Sequence, residues 1–188
     1  MSILEIKKFF VKEEKLRMFK FYDYFNSGLD FNPKSADGFN EIVANDKISL
    51  ASRSFGDDLL TSSFISLKIS LNESLEIIGS ISFHSSSNDD LFFGGNVSYY
   101  IEEKFRNQGY ATMALKLLKE ALKNNKYALE NGLVIATVPD NIYSQKVALN
   151  NNGHLIYEGS VPKDNLLYSL DHVENVKVYK IDLQDKKK

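Results

Sequence analysis

The segment Tyr99–Leu115, YYIEEKFRNQGYATMAL, changes periodicity across a single glycine. Ahead of it, Asn96–Ile101 (NVSYYI) reads as an extended strand that opens after the Gly94–Gly95 pair. Beyond Gly109, the residues Ala111, Ala114, Leu115, Leu118, Ala121 and Leu122 recur at helical spacing, while Lys116, Lys119, Glu120 and Lys123 take the opposite face. A strand, a tight loop and an amphipathic helix therefore follow one another directly.

Upstream, Ser62–Ser87 contains two runs rich in Ile, Phe and Leu around Asn72–Glu73–Ser74, the composition of an antiparallel hairpin. Asp89–Asp90 are expected to mark a turn. Downstream, the helix is expected to stop near Asn124–Asn125. Asn131–Gly132 is a turn signal, and Leu133–Val138 (LVIATV) is a buried strand cut off by Pro139. A second helix starts after Asp140 or Asn141, either of which can cap it, and ends at Asn150–Gly153. HLIYEG and VKVYKIDL supply a last pair of strands. The first sixty residues are less legible. KLRMFKFYD is read as a first strand ending at Asp23, with short helices over Asp23–Leu29 and roughly Ala36–Leu50. The alternative is one helix from Val11 to Phe25.

Composition narrows the function classes. With 188 residues, 43% hydrophobic and 26% charged, and only three prolines, the chain has the apolar mass for one ordinary globular domain. Balanced charge, 23 basic against 25 acidic residues, supplies no field that would draw nucleic acid or anionic lipid. There is no cysteine, so disulfides, thiolate nucleophiles and thiolate metal sites are ruled out together. His84, His154 and His172 do not sit at metal-ligand spacing, and no metal is expected. No apolar run reaches the ~20 residues needed to span a bilayer, and the start lacks the apolar core of a signal peptide. A cytoplasmic protein without a membrane partner is the expectation. The Lys, Asn, Ser and Ile bias is associated with an AT-rich bacterial genome.

Arg106-Asn107-Gln108-Gly109-Tyr110-Ala111 closes the strand-to-helix turn as R-x-x-G-x-A. A loop wrapping a helix start exposes unpaired N–H groups at the positive end of the helix dipole, and so can hold a pyrophosphate with little side-chain charge. Gly109 lets backbone approach phosphate, and Ala111 keeps the first turn slim. The plainer reading is a glycine in a tight turn. G-x-x-x-x-G-K-[ST] and G-x-G-x-x-G are both absent, which sets aside the usual nucleoside triphosphate and dinucleotide loops.

These residues resemble the GNAT superfamily of acyl-CoA-dependent N-acyltransferases, whose signature loop is [RQ]-x-x-G-x-[GA]. Asn141 followed by Ser144, then Gly153, then Glu158–Gly159 and VYKIDL, is similar to the branch containing the ribosomal-protein alanine N-acetyltransferases. The resemblance covers Ser62–Leu183 well and the first sixty residues loosely. It departs at Met113, where the branch often has glutamate, at Gly153, one residue late, at His154, in place of an aromatic, and at Ala148, where other branches carry a tyrosine. The implied fold is α/β: a mixed, mostly antiparallel sheet splayed in the middle, with helices on both faces. The implied domain is single, 1–188, with a cofactor-binding core over 62–183 and a tail over 184–188.

The implied activity is transfer of acetyl from acetyl-CoA to a primary amine. In this reading Tyr99, Tyr100 and Ile101 present backbone to the pantetheine. Arg106, Asn107, Gln108, Gly109, Tyr110, Ala111 and Thr112 surround the pyrophosphate, and Asn141 bonds the pantetheine arm. Ser144 lies near the sulfur and stabilises the departing thiolate, with Tyr143 and Tyr168 as secondary candidates. The general base is Glu102 or Glu103, with Glu158 as rival and a water relay equally allowed. Each carboxylate also has a plain reading as a solvated surface acid. His84 reads as a structural histidine. The acceptor is a protein N-terminus, such as that of a ribosomal protein, or else an aminoglycoside or polyamine that paired aspartates such as Asp57–Asp58 could attract. A non-catalytic acyl-CoA sensor is the third reading. Monomer and homodimer are both compatible.

Overall fold

In the computed structural model the described residues are 40–52, 64–85, 89–165, 167–168 and 172–183. Expectations for a strand at KLRMFKFYD, for helices at 23–29 or 11–25, for Asp57–Asp58 and for the tail at 184–188 lie outside them.

Alternation builds the first sheet. In β3 (Phe64–Leu71), Ile65, Leu67 and Ile69 are buried, and in β4 (Ile77–His84) Ile81 and Phe83 are buried, as period-two side-chain placement requires. β4 pairs on its other side with β5 (Val97–Ile101), setting Ile81 opposite Tyr99 and Ser82 opposite Ser98. On the far side of β3 lies a hairpin, β1 (Asn40–Ala44) and β2 (Ile48–Ser52), giving an antiparallel sheet in the order β1-β2-β3-β4-β5.

That hairpin corrects the helix expected over Ala36–Leu50. Asn45 turns the chain by accepting the Lys47 and Ile48 N–H groups on its side-chain oxygen, at 2.8 and 2.9 Å. Asn72, in the neighbouring hairpin turn, donates its amide to the Asn45 carbonyl at 2.6 Å and locks the two turns together. Ile48 and Leu50 then enter the core as alternating strand residues.

The second sheet has the order β6-β8-β7, all antiparallel: β6 (Leu133–Thr137), β7 (His154–Ser160) and β8 (Asn175–Ile181). Helices cover both of its faces. Tyr179 and Ile181 pack into the main core with Val147 and Ala148 of α4 (Ile142–Leu149). Val176 and Val178 look the other way, toward Phe93 of α1 (Asp89–Gly94). Asp89–Asp90 thus begin a helix rather than a turn, since acidic residues also favour a helix N-terminus.

α2 (Tyr110–Ala121) buries Ala114, Leu115, Leu117 and Leu118 against the first sheet. Each fully buried leucine contributes ~1.5–3 kcal/mol. A short α3 (Lys126–Asn131), absent from the sequence reading, follows the buried Asn125, whose side chain accepts the Ala128 N–H at 3.0 Å.

Among the described residues, Asn96 bridges the two sheets by hydrogen bonds. The Asn96 N–H donates to the Val134 carbonyl at 2.8 Å, the Asn96 side chain accepts the Val134 N–H at 2.7 Å, and its amide donates to the Gly132 carbonyl at 3.0 Å. Gly95 makes the approach sterically feasible: a Cβ there would stand 2.8 Å from Val134 O and Ala136 N. Past this junction no strand ladder joins β5 to β6 among the described residues. Among the described residues, the outer edge of β5 has no strand partner beyond Asn96.

Candidate active site

β5 ends at Ile101, and the chain turns through a short 3-10 helix, Glu103–Phe105, into the loop that starts α2. The loop depends on two left-handed residues, Asn107 (φ 61°) and Gly109 (φ 81°). Asparagine and glycine tolerate that region better than other residues. Where Gly109 would carry a Cβ there is open space, with no atom of the described residues within 4 Å. The first helical hydrogen bond runs from the Met113 N–H to the Gly109 carbonyl at 3.0 Å. The N–H groups of Tyr110, Ala111 and Thr112 precede it and have no acceptor within the helix, so the open loop is chemically suited to an anionic group such as a pyrophosphate.

Side chains brace this loop. Arg106 donates from Nε to the Ile101 carbonyl at 2.9 Å, and its guanidinium lies 5.6 Å from the centre of the Tyr100 ring. The arginine therefore ties the loop back to the end of β5. Gln108 donates to the Lys104 carbonyl at 3.2 Å, and the Tyr110 ring meets Phe105 edge-on. Thr112 offers its carbonyl to the side chain of Asn151, which also bonds the Val147 carbonyl at 3.0 Å. Buried Asn151 thus brackets α2 to α4. Sequence reading missed it; its only signal is the Asn150–Asn152 run before Gly153.

α4 begins beside this unit. Asn141 is its cap: its side-chain oxygen accepts the Ser144 N–H at 3.1 Å. The Ser144 hydroxyl reaches across to β5, where it meets the Tyr99 phenol at 2.6 Å. Tyr99 and Ser144 are thus brought together although 45 residues separate them. Burial pushes the Tyr99 phenol above its ordinary range, with the Ser144 hydrogen bond opposing the shift.

The other candidates are placed differently. Tyr143 is exposed, and Tyr168 packs into the apolar cluster on the α1 face of the second sheet. Ala148 is fully buried in the main core. Glu102 is half-buried, with its N–H bonded to the Ile78 carbonyl at 2.9 Å, and Glu103 is exposed in the 3-10 turn. Glu158 lies opposite Lys177 across β7 and β8 and forms an ion pair with it at 3.1 Å. His84 ends β4, and burial holds its imidazole below the usual histidine range. Among the described residues there is no cluster of three or more potential metal ligands, and no helix is long and apolar enough to cross a membrane.

Several solved structures are similar to this chain. Apo RimL, a ribosomal L7/L12 α-N-protein acetyltransferase, is 16% identical, matches 80% of this chain and 98% of its own, and has a TM-score of 0.50. A GNAT-family acetyltransferase from Bacillus anthracis is 16% identical over 64% of this chain and 67% of its own, with a TM-score of 0.46. RimL in complex with coenzyme A is 21% identical over 65% and 64%, with a TM-score of 0.43. The matched region spans just under two thirds of the length of that RimL chain. At 16% identity the likeness to apo RimL concerns the fold alone. No curated protein matches the chain significantly. Residues 20–153, most of the sequence, match the family described as Acetyltransferase (GNAT) domain, and the chain belongs to that family.

Proposed function

We propose that the protein transfers acetyl from acetyl-CoA to a primary amine, with an N-terminal α-amine of a protein as the preferred acceptor. The observation that carries this reading is the pairing of an open glycine loop at the head of α2 with a hydroxyl pair, Tyr99 and Ser144, near the split between the sheets. One end of the site suits a pyrophosphate, and the other suits a leaving thiolate.

Each residue then has a task. The N–H groups of residues 107–112 hold the pyrophosphate. The unpartnered edge of β5 at Tyr99–Ile101 offers backbone hydrogen bonds to the pantetheine and a donor to the thioester oxygen, which polarises the carbonyl. Asn141 uses its side-chain oxygen within α4, so its amide hydrogens are the part left for the pantetheine arm. Ser144 donates a hydrogen bond to the departing sulfur. Glu102 or Glu103, directly after the strand that holds the thioester, takes the amine proton. The Lys177 ion pair makes Glu158 the weaker candidate.

Acceptor preference follows from proton chemistry. An α-amine has a pKa of about 8 and a lysine amine about 10.4, so neutralising lysine at pH 7 costs ~3 kcal/mol more. A site with modest basic assistance therefore favours the N-terminal amine. The test is acceptor-dependent release of CoA thiol with four amines: a peptide N-terminus, an N-blocked lysine peptide, a polyamine and an aminoglycoside. Release with the first supports the proposal. Release only with the last two gives a small-amine acetyltransferase, and cofactor binding without any release gives a sensor.

A further inference from the structure

We infer that Tyr99 is the proton source behind Ser144, passing its phenolic proton to the serine as the serine passes its own to the sulfur. The inference rests on the proposed acetyl transfer and adds to it the route by which the Tyr99–Ser144 pair delivers a proton.

The geometry is specific. Tyr99 reaches Ser144 Oγ at 2.6 Å and the Ser144 carbonyl at 3.4 Å, so the hydroxyl contact is much the stronger of the two. When the phenol donates to Oγ, the serine O–H is released to point elsewhere, and the acceptor in the proposed reaction is the sulfur. An isolated serine is a poor acid, because its alkoxide is far less stable than a thiolate. Burial makes the Tyr99 phenol a weaker acid than a free one, yet any phenol is a far stronger acid than an aliphatic hydroxyl, so the pair supplies a proton that serine alone does not. A phenol is protonated at physiological pH, and burial shifts Tyr99 further in that direction. Tyr143 is exposed and Tyr168 lies in a different cluster, and neither has a hydrogen bond to Ser144 among the described residues.

The proton and electron balance closes. The amine nitrogen bonds to the acetyl carbon, the C–S bond breaks, and its electron pair stays on sulfur. Sulfur takes the Ser144 proton, Ser144 takes the Tyr99 proton, and water reprotonates the tyrosinate while the base releases the amine proton to solvent. Tyr99 acts through Ser144 and is therefore a positioning and proton-supplying residue.

The experiment uses protein labelled at the tyrosine ζ-carbons, with the Tyr99 signal assigned from Tyr99→Phe, titrated with CoA and with desulfo-CoA while calorimetry follows binding. The expected result is a Tyr99 shift with CoA only, abolished in Ser144→Ala. Turnover supplies a second measurement: Tyr99→Phe should lower kcat ~10–100-fold at nearly constant KM for acetyl-CoA. It should also straighten a curved proton inventory, which a packing defect would not do. CoA that binds while the Tyr99 signal stays still, or shifts equally with desulfo-CoA, overturns the relay and leaves the cofactor site standing. Failure of CoA to bind at all removes the proposed function and the relay with it.

Discussion

Asn96 meets Val134 twice, donating its N–H to the Val134 carbonyl at 2.8 Å and accepting the Val134 N–H on its side chain at 2.7 Å. One asparagine thus does the work of a strand rung at the point where β5 and β6 stop being neighbours. Asn96 is buried, so Asn96→Ala strands the Val134 N–H and the Gly132 carbonyl away from water. Each stranded group costs ~1–3 kcal/mol, and urea denaturation should show a loss on the order of 2–4 kcal/mol. Asn96→Asp keeps the acceptor but aims an oxygen at the Gly132 carbonyl, and should also destabilise.

Gly109 separates backbone strain from ligand exclusion. Its φ of 81° disfavours a side chain, yet the space where a Cβ would stand is open. Gly109→Ala should therefore lower stability by about 1 kcal/mol, measured by thermal unfolding, and leave cofactor affinity within a few-fold. Gly109→Glu puts a negative charge where the pyrophosphate is proposed to lie and should weaken acetyl-CoA binding more than tenfold in calorimetry. Equal affinity for the two variants would refute the phosphate site.

Asn141 and Ser144 should fail in different ways. Asn141→Ala removes the cap of α4, with an expected stability loss of about 1 kcal/mol and weaker cofactor binding. Ser144→Ala removes only the hydroxyl that meets Tyr99, so kcat should fall while acetyl-CoA affinity and the melting temperature change little. A Ser144→Ala variant with full turnover would rule out a hydroxyl role at the thiolate.

Removing a true general base costs ~10²–10⁴ in rate. Glu102→Gln or Glu103→Gln should show such a loss with a peptide acceptor, and the acidic limb of the pH–rate profile should flatten. Glu158→Gln frees Lys177 from its ion pair and should have a small effect. Three near-normal variants would favour direct attack by an amine already neutral in solution.

His84 predicts a pH effect on stability rather than rate. Burial lowers its folded pKa, so the unfolded chain binds the proton first, at about pH 6.5. Its contribution is complete above that value and is lost as pH falls through the folded pKa. Denaturant midpoints measured between about pH 5 and 8 should fall on the acid side, and less steeply in His84→Gln.

Local rules made the centre of the chain legible. The strand Val97–Ile101, the loop closing on Gly109 and the helix Tyr110–Ala121 lie where alternation, an αL glycine and a 3.6-residue period put them, because each depends on near neighbours in sequence. The cap of α4 was readable to within one residue, Asp140 or Asn141, and the structure selects Asn141. Where two local readings compete, partners decide. Asp89–Asp90 suit a turn or a helix start, and packing of α1 on β6 and β8 selects the helix. The stretch NEIVANDKISL is ambiguous as written, and pairing of β2 with β3 makes it a hairpin by giving Ile48 and Leu50 a core to enter. The Tyr99–Ser144 contact lies beyond sequence altogether. It depends on the side of the sheet to which the β4–β5 register turns Tyr99, and on where α4 comes to rest, and both are set by burial of residues distant in the chain.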